Sequence, residues 1–211
     1  MTLEFANHWE NLHRNKFMDV GWWQNREDLW LDLISDLQLP KEAAIIDIGA
    51  GASLLLDALI DNGFSNLSAL DISSAAISRL KERLDNSPVG IKFYVGDVLE
   101  FKAHEKFQLW HDRAVFHFLL TSKEQNSYVA AAADSISANG YLVLATFAPD
   151  GPEKCSGLPV FRHSKDSLAE LFSEHFNLEW ASERVHLTPS GGQQNFTVCR
   201  FRRIDNTIAD E

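Results

Sequence analysis

Cysteine is scarce: Cys155 and Cys199 are the only two in 211 residues, and they lie far apart. That spacing excludes a disulfide framework, offers no C-x-x-C zinc pattern, and fits a reducing compartment. No metal is expected. Long apolar runs are also missing. No stretch approaches the roughly 18 apolar residues of a membrane span, and the start, MTLEFANHWENLHRNK, has no apolar signal core. A soluble, cytoplasmic protein with no membrane association is the expectation. Positive charge is in deficit, with 19 Lys and Arg against 30 Asp and Glu and a net charge of -11. Phosphate backbones need clustered cations, so nucleic acid is excluded as a partner. The acidity serves solubility, or receives a cationic partner. No repeat, low-complexity tract or long linker divides the chain. It reads as one domain over 1–211, with an N-terminal flap and helix (1–39), a core (40–203) and a polar tail (204–211).

What is present centres on Ala43 to Asp71. Ala43 to Ile48 is a short apolar run of the kind that forms a strand covered on both faces. Gly49 and Gly51 break it, and two positions without Cβ permit a tight turn and close approach of a ligand to the backbone. Ser53 is placed to cap the helix that follows, with Leu54, Leu55, Ala58 and Leu59 on its buried side and Asn62-Gly63 at its end. Leu67 to Leu70 returns as a second strand. Asp71 then stands at its carboxyl end, where a βαβ unit presents a carboxylate to both hydroxyls of a ribose. A dinucleotide G-x-G-x-x-G would need a small residue at Leu54. The remaining alternatives are another nucleotide binder and a purely structural turn.

The pattern Asp47-x-Gly49-x-Gly51-x-Ser53 resembles motif I of the class I S-adenosylmethionine-dependent methyltransferases, with Ser53 where the third small residue is usually Gly. The resemblance implies that this loop holds the methionine end of the cofactor and that Asp71, with Ile72, holds its ribose. It also implies a three-layer α/β Rossmann-like fold, a seven-stranded mostly parallel sheet with an antiparallel C-terminal strand. Further along, Gly96-Asp97-Val98 follows the third strand, Ile91 to Val95. In the family an acid here meets the adenine amine and the next backbone amide meets the ring; the plain alternative is a turn aspartate.

The segment WHDRAVFHFL closes a fourth strand from Phe107 and brings His111, Asp112 and Arg113 to its carboxyl end, where open α/β sheets hold ligands. It resembles a group of small bacterial class I methyltransferases. Asp112-Arg113-Ala114 is similar to the Asp-Arg-Gly step of thiopurine-type S-methyltransferases and to the Asp-Lys-Gly of methyltransferase-like lysine methyltransferases. The likeness implies that these residues lie beside the transferable methyl: His111 at the cofactor, Arg113 at the substrate, and Asp112, His111 or His117 as base. His117 reads equally as a satisfied core histidine.

Residues 1–23 are aromatic-rich with little sustained helical period, and Trp22 and Trp23 before the helix Asn25 to Leu37 read either as packing or as a stiff flap over substrate and cofactor. Ser73 or Ser74 caps a helix to Leu84. Lys123 to Ile136 forms a helix stopped at Asn139-Gly140, and Tyr141 to Phe147 is a fifth strand. The proline- and glycine-rich loop after it holds Cys155, near Lys154 and Arg162 in sequence, and by likeness forms a substrate lid. Ser164 caps a short helix, and Phe176 to Arg184 and Asn195 to Arg202 form a hairpin. By likeness this hairpin brings His186, Gln193, Gln194 and Phe196 to the site.

The expected activity is transfer of a methyl from S-adenosyl-L-methionine by in-line displacement, leaving S-adenosyl-L-homocysteine. The acceptor is a small-molecule nucleophile, a thiol or related soft group; the alternatives are a protein lysine in a basic segment and a non-catalytic cofactor binder.

Overall fold

A computed structural model describes residues 2–15, 28–51, 53–188 and 191–205. Trp22, Trp23 and Asn25, where the second helix is expected to begin, lie outside the described residues.

Parallel strands β1 (Ala44–Ile48), β2 (Asn66–Asp71), β3 (Ile91–Val95), β4 (Phe107–Arg113) and β5 (Ile136–Phe147) join β8 (Phe176–Leu187) and β9 (Gln193–Arg203) in one sheet. Its order is β3-β2-β1-β4-β5-β9-β8, and β9 runs antiparallel to both neighbours. The short strands β6 (Lys154–Cys155) and β7 (Leu158–Pro159) form a separate small hairpin.

The helices are α1 (Leu3–Asn15), α2 (Asp28–Ser35), α3 (Leu55–Asp61), α4 (Ser74–Arg83), α5 (Ser122–Ser135) and α6 (Lys165–Phe172). Side-chain alternation along β1 divides the core. Ile45 joins Trp30, Leu55, Leu59 and Leu80 on one face, and Ile46 and Ile48 join Trp110, Tyr128, Leu144 and Phe172 on the other. Ile45 and Ile46 are fully buried, each burial stabilising by roughly 2 kcal/mol. That is why a five-residue strand can anchor the sheet's centre.

Local chemistry sets the boundaries. Ser73 and Ser164 cap α4 and α6 as their sequence positions predict, and Thr121 with Glu124 forms a reciprocal capping box at α5. Three expectations need correction. Residues 3–15 are helical, because Phe5, Trp9 and His13 recur at i, i+4 and i+8 and supply one narrow inward face. The helix after Gly51 begins at Leu55 with Leu54 at its cap position, and Ser53 assists by accepting from the Leu55 N–H at 3.0 Å. Asn139-Gly140 does not stop a helix: α5 ends at Ser135, and Asn139, at φ +60°, lies in an irregular stretch at the start of β5 where pairing with β4 shifts register.

Candidate active site

The sheet order reverses between β1 and β4, and the carboxyl ends of β1 to β4 there surround a cavity open to solvent. Ligands of open α/β sheets bind at such a switch point. One end of the cavity is formed by Gly51, Asp71, Ile72, Gly96 and Val98, the other by Gly49, Arg113, Ala114, Phe118 and Cys155. Helix α1 closes the side with Phe5, Trp9 and His13.

Asp71 is 6% exposed. Its Oδ2 accepts from the Gly51 N–H at 2.9 Å and its Oδ1 from the Ser73 N–H at 2.8 Å. Burial raises its pKa to about 6, against these two hydrogen bonds and with help from Asp47 and Glu10. A carboxylate has about four acceptor sites, so two remain for ligand hydroxyls.

Gly49 and Gly51 adopt φ of +65° and +40°, where a side chain is strained. At both positions protein atoms stand where a Cβ would point, while the glycines still line the cavity. Val115 Cγ2 lies 2.2 Å from where a Gly49 Cβ would stand, and His13 Cε1 lies 3.1 Å from the corresponding point at Gly51.

Asp47 and His111 sit together in the core beneath the glycine turn, Oδ1 to Nδ1 at 2.7 Å, and the His111 ring meets Trp30 edge-on at 5.2 Å. Asp47 Oδ2, His111 Nε2 and Trp30 Nε1 are buried without a hydrogen-bond partner. Arg113 reaches the cavity and places its guanidinium 6.0 Å from the Trp30 ring centre.

Asp112 is turned away from this space. Its Oδ2 accepts from Tyr128 at 2.5 Å, its Oδ1 from the Val115 N–H at 2.9 Å, and its exposure is nil. Trp110 Nε1 donates in turn to Tyr128 at 3.0 Å. Burial raises the Asp112 pKa to about 6 despite the Tyr128 and backbone hydrogen bonds and nearby His111. The carboxylate therefore braces the turn that carries Ala114 at φ +71°, and it does not face the cavity as a base for an acceptor.

His117 is also away from the cavity wall, packed between Phe118 and Phe147 with neither nitrogen partnered; burial, then His163, lowers its pKa to about 3. Cys155 lines the cavity at 4% exposure, and burial raises its thiol to about 11 against Ser156 and Arg113. Asp97 accepts from the Leu99 N–H at 2.9 Å, a turn role, while its neighbours Gly96 and Val98 line the cavity. Ser53 accepts from the Leu55 N–H at the start of α3 and is not part of the lining. His186 packs on Phe196, which packs on Phe147, so the hairpin supports the site from behind. The residues that the sequence reading missed are Phe5, Trp9 and His13, whose signal was their four-residue spacing, and Val115 and Phe118 after β4.

Residues 39–196 match the methyltransferase domain family. The chain belongs to that family. Among its methyltransferase relatives is the zebrafish (Danio rerio) EEF1A lysine methyltransferase 2, 25% identical over 150 residues, covering 66% of this chain and 57% of that protein's length. A structure described for conversion of a disulfide bond into a thioacetal group during echinomycin biosynthesis superposes with a TM-score of 0.77 at 19% identity, covering 97% of this chain and 95% of the other. The N-methyltransferase NodS from Bradyrhizobium japonicum, in complex with S-adenosyl-L-homocysteine, gives 0.69 at 16% identity over 94% of this chain and all of the other.

The methyltransferase donor is S-adenosylmethionine. The cavity fits it: a buried carboxylate with spare acceptor sites stands at one end, and Gly49 and Gly51 form part of the wall. Among the described residues no group of three or more ligating side chains could hold a metal, and no helix is long and apolar enough to cross a membrane.

Proposed function

We propose that this methyltransferase acts on a small-molecule nucleophile, a thiol or related soft group held near Arg113. The observation that carries the reading is the make-up of the cavity wall. Among the described lining residues Asp71 is the only carboxylate, and it belongs to the ribose end; at the other end stand Phe5, Trp9, Phe118, Cys155 and Arg113. The three aromatic rings pack with centroids 5.3 to 6.2 Å apart. An amine that arrives protonated must lose a proton before it attacks, so it requires a base. A thiol arrives partly ionised near neutral pH, and a neighbouring guanidinium favours its anion while disfavouring an ammonium.

In this reading Gly49, Gly51 and Asp47 hold the methionine end, Asp71 and Ile72 the ribose, and Gly96, Asp97 and Val98 the adenine. The donor supplies a methyl on a sulfonium; the chain supplies orientation and a water-poor wall. His111, braced by Asp47, orients the floor beneath Arg113. Cys155 and Phe118 shape the acceptor's contact.

The second reading, a protein lysine as acceptor, is favoured by the name of the lysine methyltransferase relative and by the net charge of -11. The test offers isotopically methyl-labelled S-adenosylmethionine with a panel of alkyl and aryl thiols, small amines, and basic proteins including elongation factor 1A. Label in thiols supports the proposal. Label confined to protein lysine replaces it with the second reading, and tight S-adenosylhomocysteine binding without transfer to any acceptor marks a non-catalytic binder.

A further inference from the structure

Helix α1 is built into the same turn that holds Asp71. Glu10 accepts from Ser73 Oγ at 2.8 Å, from Ser74 Oγ at 3.1 Å and from the Ala75 N–H at 3.1 Å, so it caps α4 from outside. Arg79 of α4 donates back to the Arg14 carbonyl at 2.8 Å. Ser73, bound to Glu10 through its hydroxyl, donates its N–H to Asp71. On the adjoining face of α1, His13 is 3% exposed and lines the cavity. Its Cε1 lies 3.1 Å, and Asp71 Oδ2 lies 3.5 Å, from the same point above Gly51. Imidazole and carboxylate thus both border one patch of space beside Gly51.

We propose that His13 is a cofactor-binding residue, its imidazole hydrogen-bonding a ribose hydroxyl of the S-adenosyl ligand beside Asp71. The inference rests on the assignment of Asp71 to the ribose. Burial, then Arg79, lowers the His13 pKa to about 4 against the pull of Glu10, so the ring is neutral at pH 7. A neutral imidazole offers one donor and one acceptor, either of which matches a hydroxyl, and it places no positive charge near a sulfonium. The competing role is shape alone, filling the space that Gly51 leaves.

Calorimetric titration with S-adenosylhomocysteine and with its 2′,3′-dideoxyribosyl analogue separates the two, using the parent protein, His13→Phe and His13→Gln. The parent is expected to prefer the natural ligand. Losing one hydrogen bond at this site corresponds to about tenfold in affinity. His13→Phe, which keeps a flat ring, should weaken S-adenosylhomocysteine by that factor and leave the dideoxy analogue within about twofold, while His13→Gln recovers part of the loss. Equal weakening of both ligands by His13→Phe, or parent-like binding of both, overturns the proposal. Should the parent bind S-adenosylhomocysteine and its analogue equally, the ribose assignment of Asp71 falls first and His13 with it.

Discussion

Asp112 accepts from Tyr128 and from the backbone of the next turn, so its substitution acts on stability. Asp112→Asn keeps an acceptor for the Val115 N–H but sets an amide donor against the Tyr128 hydroxyl. The expected loss is about 1–3 kcal/mol, a drop of several degrees in melting temperature, with S-adenosylhomocysteine affinity unchanged. A hundredfold fall in methyl transfer at parent-like cofactor affinity, about the least expected from removing a general base, would instead put Asp112 in the chemistry. His117 carries the opposite imbalance, two ring nitrogens in the core without partners. Its native pKa near 3 lies below the unfolded value near 6.5, so the unfolded chain takes up a proton first as pH falls. Its contribution is intact above pH 6.5 and is lost toward pH 3. His117→Leu, similar in size and apolar, is expected to gain about 1 kcal/mol at neutral pH and more at pH 5. Urea unfolding at both pH values measures this; a loss at both means that the imidazole holds a contact worth more than its burial costs.

At the scale of elements, α1 tests whether a helix of 13 residues docks through one side chain. Helices of this length are marginal alone, so its order depends on tertiary contacts. Burial of Glu10 opposes ionisation, but hydrogen bonds from Ala75, Ser73, Arg14 and Ser74 outweigh it and lower the pKa to about 2. The depressed value places the stabilisation above the unfolded pKa of 4.5, with loss as pH falls through 2. Glu10→Ala is expected to raise amide exchange across residues 3–15 by about tenfold or more, as for loss of a charged cap near 1–2 kcal/mol, leaving β1 and β4 protected. Unchanged exchange would mean that Phe5 and Trp9 alone hold the helix. Glu10's partners were not legible in the sequence, and the helix showed there only as the four-residue spacing of Phe5, Trp9 and His13. Strands β1, β2 and β4 announced themselves as apolar runs bounded by glycine or charge, because burial on both faces leaves no other composition. In α1 one narrow aromatic face is separated by polar residues, and what docks the helix through Glu10 lies 63 residues on at Ser73. The irregular start of β5 was hidden similarly: Asn-Gly is a turn signal wherever it falls, and only pairing with β4 shows that the helix had already ended. The site split along the same line, with Gly51 and Asp71 readable from spacing and the turn of Asp112 away from the cavity set by Tyr128, a residue on another element.

Across the whole molecule the sheet sets where a ligand can sit, and the surface charge sets what approaches easily. Strand order places the cavity at the carboxyl edge between β1 and β4, and the chain around it carries a net charge of -11. A field of that sign draws in cationic partners and slows anions, and salt weakens both effects. The two acceptor readings therefore predict opposite responses to ionic strength. For a thiol that reacts as its anion, kcat/KM should stay level or rise as potassium chloride goes from about 50 to about 500 mM, because screening removes a repulsion. For a basic protein segment it should fall several-fold over the same range, because screening removes the attraction that speeds encounter. Steady-state rates on the best thiol and the best protein acceptor, with S-adenosylmethionine saturating throughout, make the comparison independent of cofactor binding. A steep fall for the thiol as well would mean that salt screens an attraction, so that the pull of Arg113 on the anion outweighs the field of the rest of the surface, while a thiol rate that rises steeply would mean that the negative field dominates at the cavity.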